Sequence, residues 1–205
     1  MKTVLFTQRV EVIDSYGERR DCADQRISDF IHACGYLPIP VPNNAALAPE
    51  FVESLKPVGI ILTGGNSLVK YGGNAPERDE TDKKYIELAI TRGIPLYGFC
   101  RGMQSILDYF DEELVAVSGH VAQRMMLYGI IDNALGNFIR DVNSFHNQGC
   151  LVIKSPDIEI LAKSSDGVIK AIRHKNFKLF GTMWHPEREV TFKEEDINMI
   201  KNFIG

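Results

Sequence analysis

One stretch, Ile94–Asp108, constrains the fold of this chain more than any other. Its sequence, IPLYGFCRGMQSILD, begins as an apolar run of strand length and continues into residues with helical character. Cys100 stands at the junction, with Gly98 and Gly102 two residues to either side. A sharp strand-to-helix turn forces its central residue into a cramped backbone conformation, which only small flanking residues permit. This pattern is typical of a nucleophile elbow, which exposes a reactive side chain at the carboxyl edge of a sheet.

A second segment, far along the chain, supplies a chemical partner for this cysteine. Phe177–Trp184 is predicted to be a strand that delivers His185 at its end, and Pro186 and Glu187 follow. A thiol nucleophile needs a base that takes its proton and returns it to the leaving group, and imidazole suits both steps. The base needs an orienting acceptor, and Glu187 points to the same side as His185 if the backbone stays extended. The sequence therefore predicts Cys100, His185 and Glu187 as a catalytic triad.

Taken one at a time, these motifs have ordinary structural explanations. A cysteine after an apolar strand is most often a small buried hydrophobe, and an isolated His-Pro-Glu is most often a surface turn. The glycines of Thr63-Gly-Gly-Asn-Ser67 lack the spacing of a phosphate-binding loop and by themselves indicate a plain strand-to-loop turn. Catalysis is favoured because the cysteine, the histidine and the glycines all fall at the ends of predicted strands.

Composition limits the classes of protein to which the chain belongs. The 205 residues are 44% hydrophobic and 24% charged, as in a soluble globular protein with one sizeable core. A net charge of −4 provides no electrostatic footprint for nucleic acid. We expect no membrane span and no signal peptide, because no apolar run approaches the roughly 18 residues that a span needs. Four scattered cysteines, without a C-x-x-C pair, argue against a zinc site or disulfides and favour a cytoplasmic location.

The predicted elements alternate in the first half and become short strands in the second. Strands are predicted at Thr3–Arg9, Tyr36–Val41 (an edge strand), Val58–Leu62, Ile94–Phe99, Leu114–Ser118, Cys150–Lys154, Ile160–Ser164, Val168–His174 and Lys178–Met183. Helices are predicted at Asp21–Cys34, Ala48–Leu55, Glu77–Thr91, Met103–Phe110 and Lys193–Ile204, with a charged loop at Asp14–Arg20 and a hairpin turn at Ser165–Gly167. We expect one α/β domain spanning residues 1–205, with a central, mostly parallel sheet flanked by helices and a C-terminal antiparallel strand region.

These residues carry a resemblance to the class I glutamine amidotransferase family. Gly98-Phe-Cys-Arg-Gly-Met-Gln104 and the terminal His185-Pro-Glu187 resemble its two catalytic motifs. The Cys-Arg-Gly form, Pro76–Glu80 and Val142–Gln148 are similar to its γ-glutamyl hydrolase branch. The resemblance implies the flavodoxin-like α/β sandwich of that family. It also implies hydrolysis of a γ-glutamyl amide through a thioester, with no metal and no cofactor.

The resemblance implies roles for residues that the sequence alone leaves unassigned. The backbone amides of Gly65 and Arg101 are expected to form the oxyanion hole. A further group of polar residues is expected to bind the glutamyl part of the substrate: Gln104, Asn143, Ser144 and His146, with Gln148 nearby. Without the resemblance, Gln104 reads as a solvated helix residue, and the others read as a solvent-facing loop. His120 is expected at the mouth of the pocket.

The leaving group of the reaction stays open between two alternatives. A free-standing hydrolase would release glutamate from a small-molecule conjugate, whereas a glutaminase subunit would pass ammonia to a synthase partner. A homodimer is compatible with the first alternative. The N-terminal half is similar to branch members that hydrolyse γ-glutamyl-CDP-amidate in capsule polysaccharide modification. That substrate would need cations at the pocket mouth, for which Lys70, Arg124 and Arg140 are candidates. A binding module without activity is disfavoured, because the complete triad is present.

Overall fold

A computed structural model of the chain describes residues 1–129 and 139–205. The strands are β1 (Thr3–Phe6), β2 (Arg9–Ile13), β3 (Glu18–Cys22), β4 (Leu37–Pro40), β5 (Gly59–Leu62), β6 (Leu96–Phe99), β7 (Val115–Ala116), β8 (Val121–Gly129), β9 (Ile139–Phe145), β10 (Gln148–Gly149), β11 (Ile158–Ser164), β12 (Ile169–His174) and β13 (Leu179–Thr182). The helices are α1 (Gln25–Ala33), α2 (Ala48–Leu55), α3 (Pro76–Arg92), α4 (Arg101–Tyr109) and α5 (Glu194–Ile204), with 3₁₀ turns at Val69–Tyr71 and Pro186–Arg188. Not one of the helices in these ranges has the length and apolar character needed to cross a membrane.

The main sheet joins a parallel half to an antiparallel half. Its nine strands lie in the order β4-β1-β5-β6-β13-β12-β11-β8-β9. Pairings from β4 to β13 are parallel, and those from β13 to β9 are antiparallel. Strands β5, β6 and β13 are buried along their whole length, as expected where helices cover both faces of a sheet. The predicted fold class is confirmed, and the proline-containing β4 lies at the edge as predicted.

Alternation along the short strands divides the interior into two cores. Successive side chains of a strand point to opposite faces, so Val4 and Phe6 of β1 pack with α1 and α5. Leu5 packs on the other face, with α2, α3 and α4. In β5, Ile61 joins the first core, whereas Ile60 and Leu62 join the second. The helices therefore hold the parallel strands from both sides and fix where those strands end.

The segment before α1 corrects one sequence prediction. The strand predicted over Thr3–Arg9 ends at Phe6, and Arg9 already belongs to β2. The region predicted as a charged loop, Asp14–Arg20, contains the turn of the hairpin β2–β3 and the first part of β3. Its second strand is highly polar, so it lacks the apolar alternation that predicts a strand. Tertiary contacts stabilise the hairpin instead, because the Asn66 side chain bonds both the N–H and the carbonyl of Val10 in β2, at 2.8 and 3.0 Å.

Two further predictions are wrong in the second half of the chain. The strand predicted at Cys150–Lys154 is a loop, whose end is held by the buried Glu112 carboxylate through the N–H groups of Lys154 and Ser155. The loop predicted around Asn143 is strand β9, which pairs with β8. Most β8 side chains are exposed on both faces, so apolar periodicity does not reveal the strand.

The elbow glycines test how tightly this fold is packed. A Cβ on Gly102 would overlap the carbonyl oxygen of Leu62 in β5, so Gly102→Ala forces the strand and helix apart. We expect a loss of about 3 kcal/mol in the free energy of unfolding, measured by urea titration. Gly17→Ala is the matched control, because an added Cβ there has no heavy atom within 4 Å. Its φ of +72° leaves only the strain of a left-handed backbone, which costs about 1 kcal/mol. Equal losses for the two variants would contradict this account.

Candidate active site

Cys100 lies between β6 and α4 in a strained backbone conformation. Its φ is +53° and its ψ is −111°, a region that non-glycine residues rarely occupy. The Cys100 N–H donates to the carbonyl of Thr182 at 2.7 Å, and its carbonyl accepts from the N–H of Gln104 at 3.1 Å. The sharp turn predicted at this cysteine is therefore present. It places the thiol at the N-terminus of α4, where the partial positive charge of the helix favours thiolate.

His185 reaches the same edge of the sheet because β6 and β13 are parallel neighbours, with Gly98 opposite Gly181. Its Nδ1 lies 2.7 Å from Oε1 of Glu187, and both side chains are buried. The expected extended backbone is wrong, since Pro186–Arg188 forms a 3₁₀ turn. Glu187 nevertheless contacts the ring within that turn. Because Nδ1 carries the proton that the carboxylate accepts, Nε2 is the nitrogen left for chemistry.

Asn143 fixes the histidine from the backbone side. Its Nδ2 donates to the carbonyl of His185 at 2.8 Å, and its Oδ1 accepts from the N–H of His185 at 2.9 Å. The His185 ring lies edge-on to the rings of Phe99 and Phe145, with centroids 5.6 and 5.7 Å away. The structure therefore shows Asn143 as a support for His185, which the sequence did not indicate. Its contact with substrate stays a prediction.

The cysteine and the histidine shift each other's pKa in opposite directions. Burial tends to raise the pKa of the Cys100 thiol, but the charge of His185 and the backbone N–H of Arg101 outweigh burial and lower it. Burial tends to lower the pKa of His185, but the charges of Cys100 and Glu187 raise it to about 9. At neutral pH this arrangement favours a thiolate–imidazolium pair.

The loop after β5 faces this pair through a glycine that the sequence analysis did not single out. A Cβ on Gly64 would lie 2.7 Å from Cε1 of His185 and 3.4 Å from Cβ of Cys100. The close approach requires glycine at this position. The amides of Gly64 and Gly65 donate no hydrogen bond to any acceptor in the described parts of the chain. Gly65 was expected in the oxyanion hole, and that role stays a prediction.

Arg101, whose amide is the other expected donor, anchors the elbow through its side chain. The guanidinium is buried and forms ion pairs with Asp79 and Asp82 of α3. Ser105, one turn further along α4, donates to Asp82 at 2.9 Å. The acidic segment at the start of α3 therefore ties α3 to α4. The expected role of the Arg101 amide is not tested by these contacts.

A buried lysine, Lys170 of β12, joins the residues expected to bind substrate. Its Nζ lies 3.1 Å from Oγ of Ser144, 2.6 Å from Nε2 of His146 and 2.9 Å from Nδ1 of His120. His120 was expected at the pocket mouth; it is instead fully buried and bonds Asp166 at 2.7 Å through Nε2. Because an ammonium only donates, both imidazoles accept from Lys170, and each carries its proton on the other nitrogen.

The cluster of Lys170, His120, Ser144 and His146 contains one cation at neutral pH. Burial lowers the pKa of Lys170 to about 8, although the charges of Asp166 and Cys100 oppose the shift. Burial, reinforced by the charge of Lys170, lowers the pKa of His146 to about 3. Lys170 is therefore a cation at neutral pH and His146 is neutral.

Gln104 closes the cluster on the side of α4. Its Nε2 donates to the carbonyl of Gln148 at 3.0 Å, and Nδ1 of His146 lies 2.9 Å from the same oxygen. Gln104 is almost fully buried, so it is not the solvated helix residue that the sequence alone suggests. The structure thus brings together Gln104, Ser144 and His146, and their contact with substrate stays a prediction.

The three cations expected at the pocket mouth are each held in ion pairs. Lys70 lies 2.9 Å from Asp108, and Arg124 lies 2.6 Å from Asp141. Arg140 lies 2.7 Å from the buried Asp196 and stacks over the ring of Trp184. The depression beside Gly64, Gly65 and His185 is lined by two other arginines, Arg9 and Arg188, which pair with Glu11 at 2.7 Å and with Glu187 at 3.6 Å.

Three features of the site were not predicted from the sequence, namely Lys170, Arg78 and the support of His185 by Asn143. Lys170 lies between the apolar residues Ile169 and Ala171 in a largely buried strand, and a charge in such a position signals a buried partner. Arg78 and Asn143 gave no comparable signal, because each contacts backbone groups distant in sequence.

The chain is similar to known proteins over most of its length. The sequence profile of the family described as "Glutamine amidotransferase class-I" matches residues 12–205. The chain is 32% identical over 189 residues to a γ-glutamyl-CDP-amidate hydrolase of Campylobacter jejuni, covering 90% of this chain and 89% of that protein. It is 31% identical over 201 residues to a γ-glutamyl-γ-aminobutyrate hydrolase of Escherichia coli O157:H7, covering 80% and 77% of the two chains. The crystal structure of a glutamine amidotransferase from Thermotoga maritima superimposes with a TM-score of 0.69 at 15% identity, covering 98% of this chain and 83% of that one.

The shifted pKa values predict how the thiol reacts with pH. We expect iodoacetamide to alkylate Cys100 well below the ordinary thiol pKa of about 8.5, because thiolate persists below that pH. His185→Gln removes the charge that lowers the pKa of Cys100 while burial still raises it, so the profile should move to higher pH.

Mass spectrometry of the cysteine peptides gives each rate separately. Cys34 is the internal control, because burial raises its pKa to about 12 and keeps it protonated. A Cys100 profile that is identical with and without the imidazole would contradict the ion pair.

Proposed function

The chain belongs to the class I glutamine amidotransferase family, and we propose that it is a cysteine hydrolase that cleaves a γ-glutamyl amide and releases glutamate. One observation carries the proposal: a strained cysteine with a lowered pKa faces a histidine that a buried carboxylate orients. That arrangement supplies a nucleophile, an acid–base group and an orienting acceptor. The likeness to two γ-glutamyl hydrolases over most of the chain supports the choice of bond.

The proposed reaction proceeds in two halves. The Cys100 thiolate attacks the γ-carbonyl carbon, and the resulting oxyanion is held by the amides of Gly65 and Arg101. His185 then donates its proton to the leaving nitrogen, the C–N bond breaks, and a γ-glutamyl thioester remains. In the second half His185 removes a proton from water, which attacks the thioester and restores the thiolate as glutamate leaves. Glu187 stabilises the imidazolium at each stage.

Lys170 gives the proposed glutamyl site its charge. Its ammonium lies behind Ser144 and His146 and is buried, so its field acts through a medium of low dielectric constant. Since Oγ of Ser144 accepts from Lys170, its own O–H is free to donate to a ligand. A cation and an outward O–H together suit the α-carboxylate of a γ-glutamyl group, with Gln104 beside them.

We further propose γ-glutamyl-CDP-amidate as the substrate, with cytidine diphosphoramidate as the second product and a place in capsule polysaccharide modification. The likeness to a γ-glutamyl-CDP-amidate hydrolase, which covers 90% of this chain, supports this choice. The nucleotide needs cations near the leaving nitrogen. Arg9 and Arg188 are better placed for this than Lys70, Arg124 or Arg140, because they line the depression that contains Gly64 and His185.

Substrate turnover tests the proposal directly. Glutamate release is measured for the wild type and Cys100→Ala against γ-glutamyl-CDP-amidate, γ-glutamyl-γ-aminobutyrate and glutamine. We expect turnover of γ-glutamyl-CDP-amidate and none by the variant, because the thiol is the nucleophile. Turnover of γ-glutamyl-γ-aminobutyrate alone would change the leaving group, and turnover of glutamine alone would indicate a glutaminase with a synthase partner. Activity that survives in Cys100→Ala would contradict the mechanism.

The role of Lys170 predicts a pH-dependent KM. We expect KM to rise as pH passes above about 8, where Lys170 loses its proton and the carboxylate loses its cation. Lys170→Met should raise KM by about 10-fold at neutral pH, with a smaller change in kcat, and should abolish the rise above pH 8. Lys163→Met, on neighbouring β11, is the control. An unchanged KM in Lys170→Met would remove this residue from the binding site.

A further inference from the structure

The guanidinium of Arg78, which the reaction above does not use, grips the loop that faces Cys100. Arg78 is fully buried at the start of α3. It donates to the carbonyl oxygens of three consecutive residues, namely Thr63 at 2.8 Å, Gly64 at 2.9 Å and Gly65. It also donates to Oγ1 of Thr63 and Oδ1 of Asn66, each at 3.1 Å. One guanidinium therefore hydrogen-bonds acceptors along the whole loop, from Thr63 to Asn66.

Because the peptide bond is planar, these hydrogen bonds also fix the direction of the neighbouring N–H groups. In each peptide unit the C=O and the following N–H point in opposite directions. Carbonyls that converge on Arg78 therefore direct the N–H groups of Gly64, Gly65 and Asn66 away from it. Successive N–H groups presented in this way form a concave anion site. The positive φ values of Gly65, +87°, and Asn66, +55°, allow the carbonyls to converge.

The loop also borders Cys100 and His185. A Cβ on Gly64 would lie 2.7 Å from Cε1 of His185 and 3.4 Å from Cβ of Cys100. The amides of Gly64 and Gly65 have no acceptor among the residues that the structure describes, so they are available to an oxyanion. The Asn66 side chain is committed to the backbone of Val10 in the hairpin, which holds the far end of the loop.

We propose that Arg78 is a positioning residue, which sets the Gly64 and Gly65 amides as oxyanion donors and keeps a positive charge behind them. The inference rests on the proposed hydrolase function. Without the guanidinium the carbonyls of Thr63, Gly64 and Gly65 lose their shared donor, so each peptide plane is freer to rotate its N–H away from the oxyanion. A preorganised donor stabilises a transition state because it need not reorient during the reaction. The loss therefore falls on kcat rather than on substrate binding.

A purely structural role for Arg78 makes a different prediction. It would lower the melting temperature and disturb the thiol, the histidine and the substrate site together. The alkylation rate of Cys100 separates the two roles, because alkylation by iodoacetamide forms no oxyanion. A residue that positions only the amides leaves that rate unchanged.

The test compares Arg78→Gln and Arg78→Lys with the wild type and with Arg173→Gln, which breaks an arginine–carboxylate pair on β12 outside the site. We expect Arg78→Gln to lower kcat by about 100-fold, as for the loss of one oxyanion donor, with KM within about 3-fold. Cys100 alkylation should stay within about 3-fold of the wild type. Arg78→Lys should recover part of kcat, because an ammonium donates to some of the same carbonyls. Arg173→Gln should leave kcat and KM unchanged.

Three outcomes would overturn the inference. They are an unchanged kcat in Arg78→Gln, a loss that appears mainly in KM, and a parallel loss of Cys100 alkylation. If Arg78→Gln does not fold, Arg78→Lys decides. Its ammonium puts one point charge in place of the planar guanidinium, so full activity in Arg78→Lys would overturn the geometric role. A wild type that hydrolyses no γ-glutamyl substrate overturns the proposed function and this inference together. The other outcomes overturn the inference alone.

Discussion

The site depends on a backbone conformation that the chain would not adopt by itself. A positive φ at Cys100 costs about 1–2 kcal/mol for a residue with a side chain. The surrounding packing imposes it, since Gly98 and Gly102 lie so close that a Cβ on Gly98 would be 2.5 Å from the backbone of Gly102. The bond from the Cys100 amide to Thr182 ties the turn to the strand that carries His185. The Cys100 thiol and the His185 imidazole are thereby positioned by one pair of adjacent strands.

Buried cations, each satisfied by several acceptors, surround this strained residue. Arg101 is neutralised by Asp79 and Asp82, whereas Arg78 and Lys170 are surrounded mainly by neutral acceptors. Burial of a charge is unfavourable unless hydrogen bonds replace its hydration shell. The downward pKa shifts of Arg78 and Lys170 reflect that burial. A positive environment of this kind favours the oxyanion that the proposed reaction forms.

The sequence predicted the parallel half of the fold because each of its strands is short, apolar and bounded by a recognisable helix. It failed for β3 and β8, whose polar side chains leave no periodic signal. It also failed for the loop that begins at Cys150, whose end is held by Glu112 through the N–H groups of Lys154 and Ser155. Cys100, His185 and Glu187 were identified because catalysis demands those residue types. Gly64, Arg78 and the support that Asn143 gives to His185 were not predicted, because they depend on contacts with groups that only the fold brings near them.

Asn143 and Arg78 show how precision is distributed in such a site. Asn143 holds both backbone groups of His185, and Arg78 holds three carbonyls of the loop that begins at Thr63. Neither contact depends on the side chain of the residue that it holds. The backbone of His185 and of the loop that begins at Thr63 is therefore held by side chains from other elements. A replacement at either position moves a reacting group without deleting one, so its effect on rate reports geometry, whereas loss of the Cys100 thiol or the His185 imidazole reports chemistry.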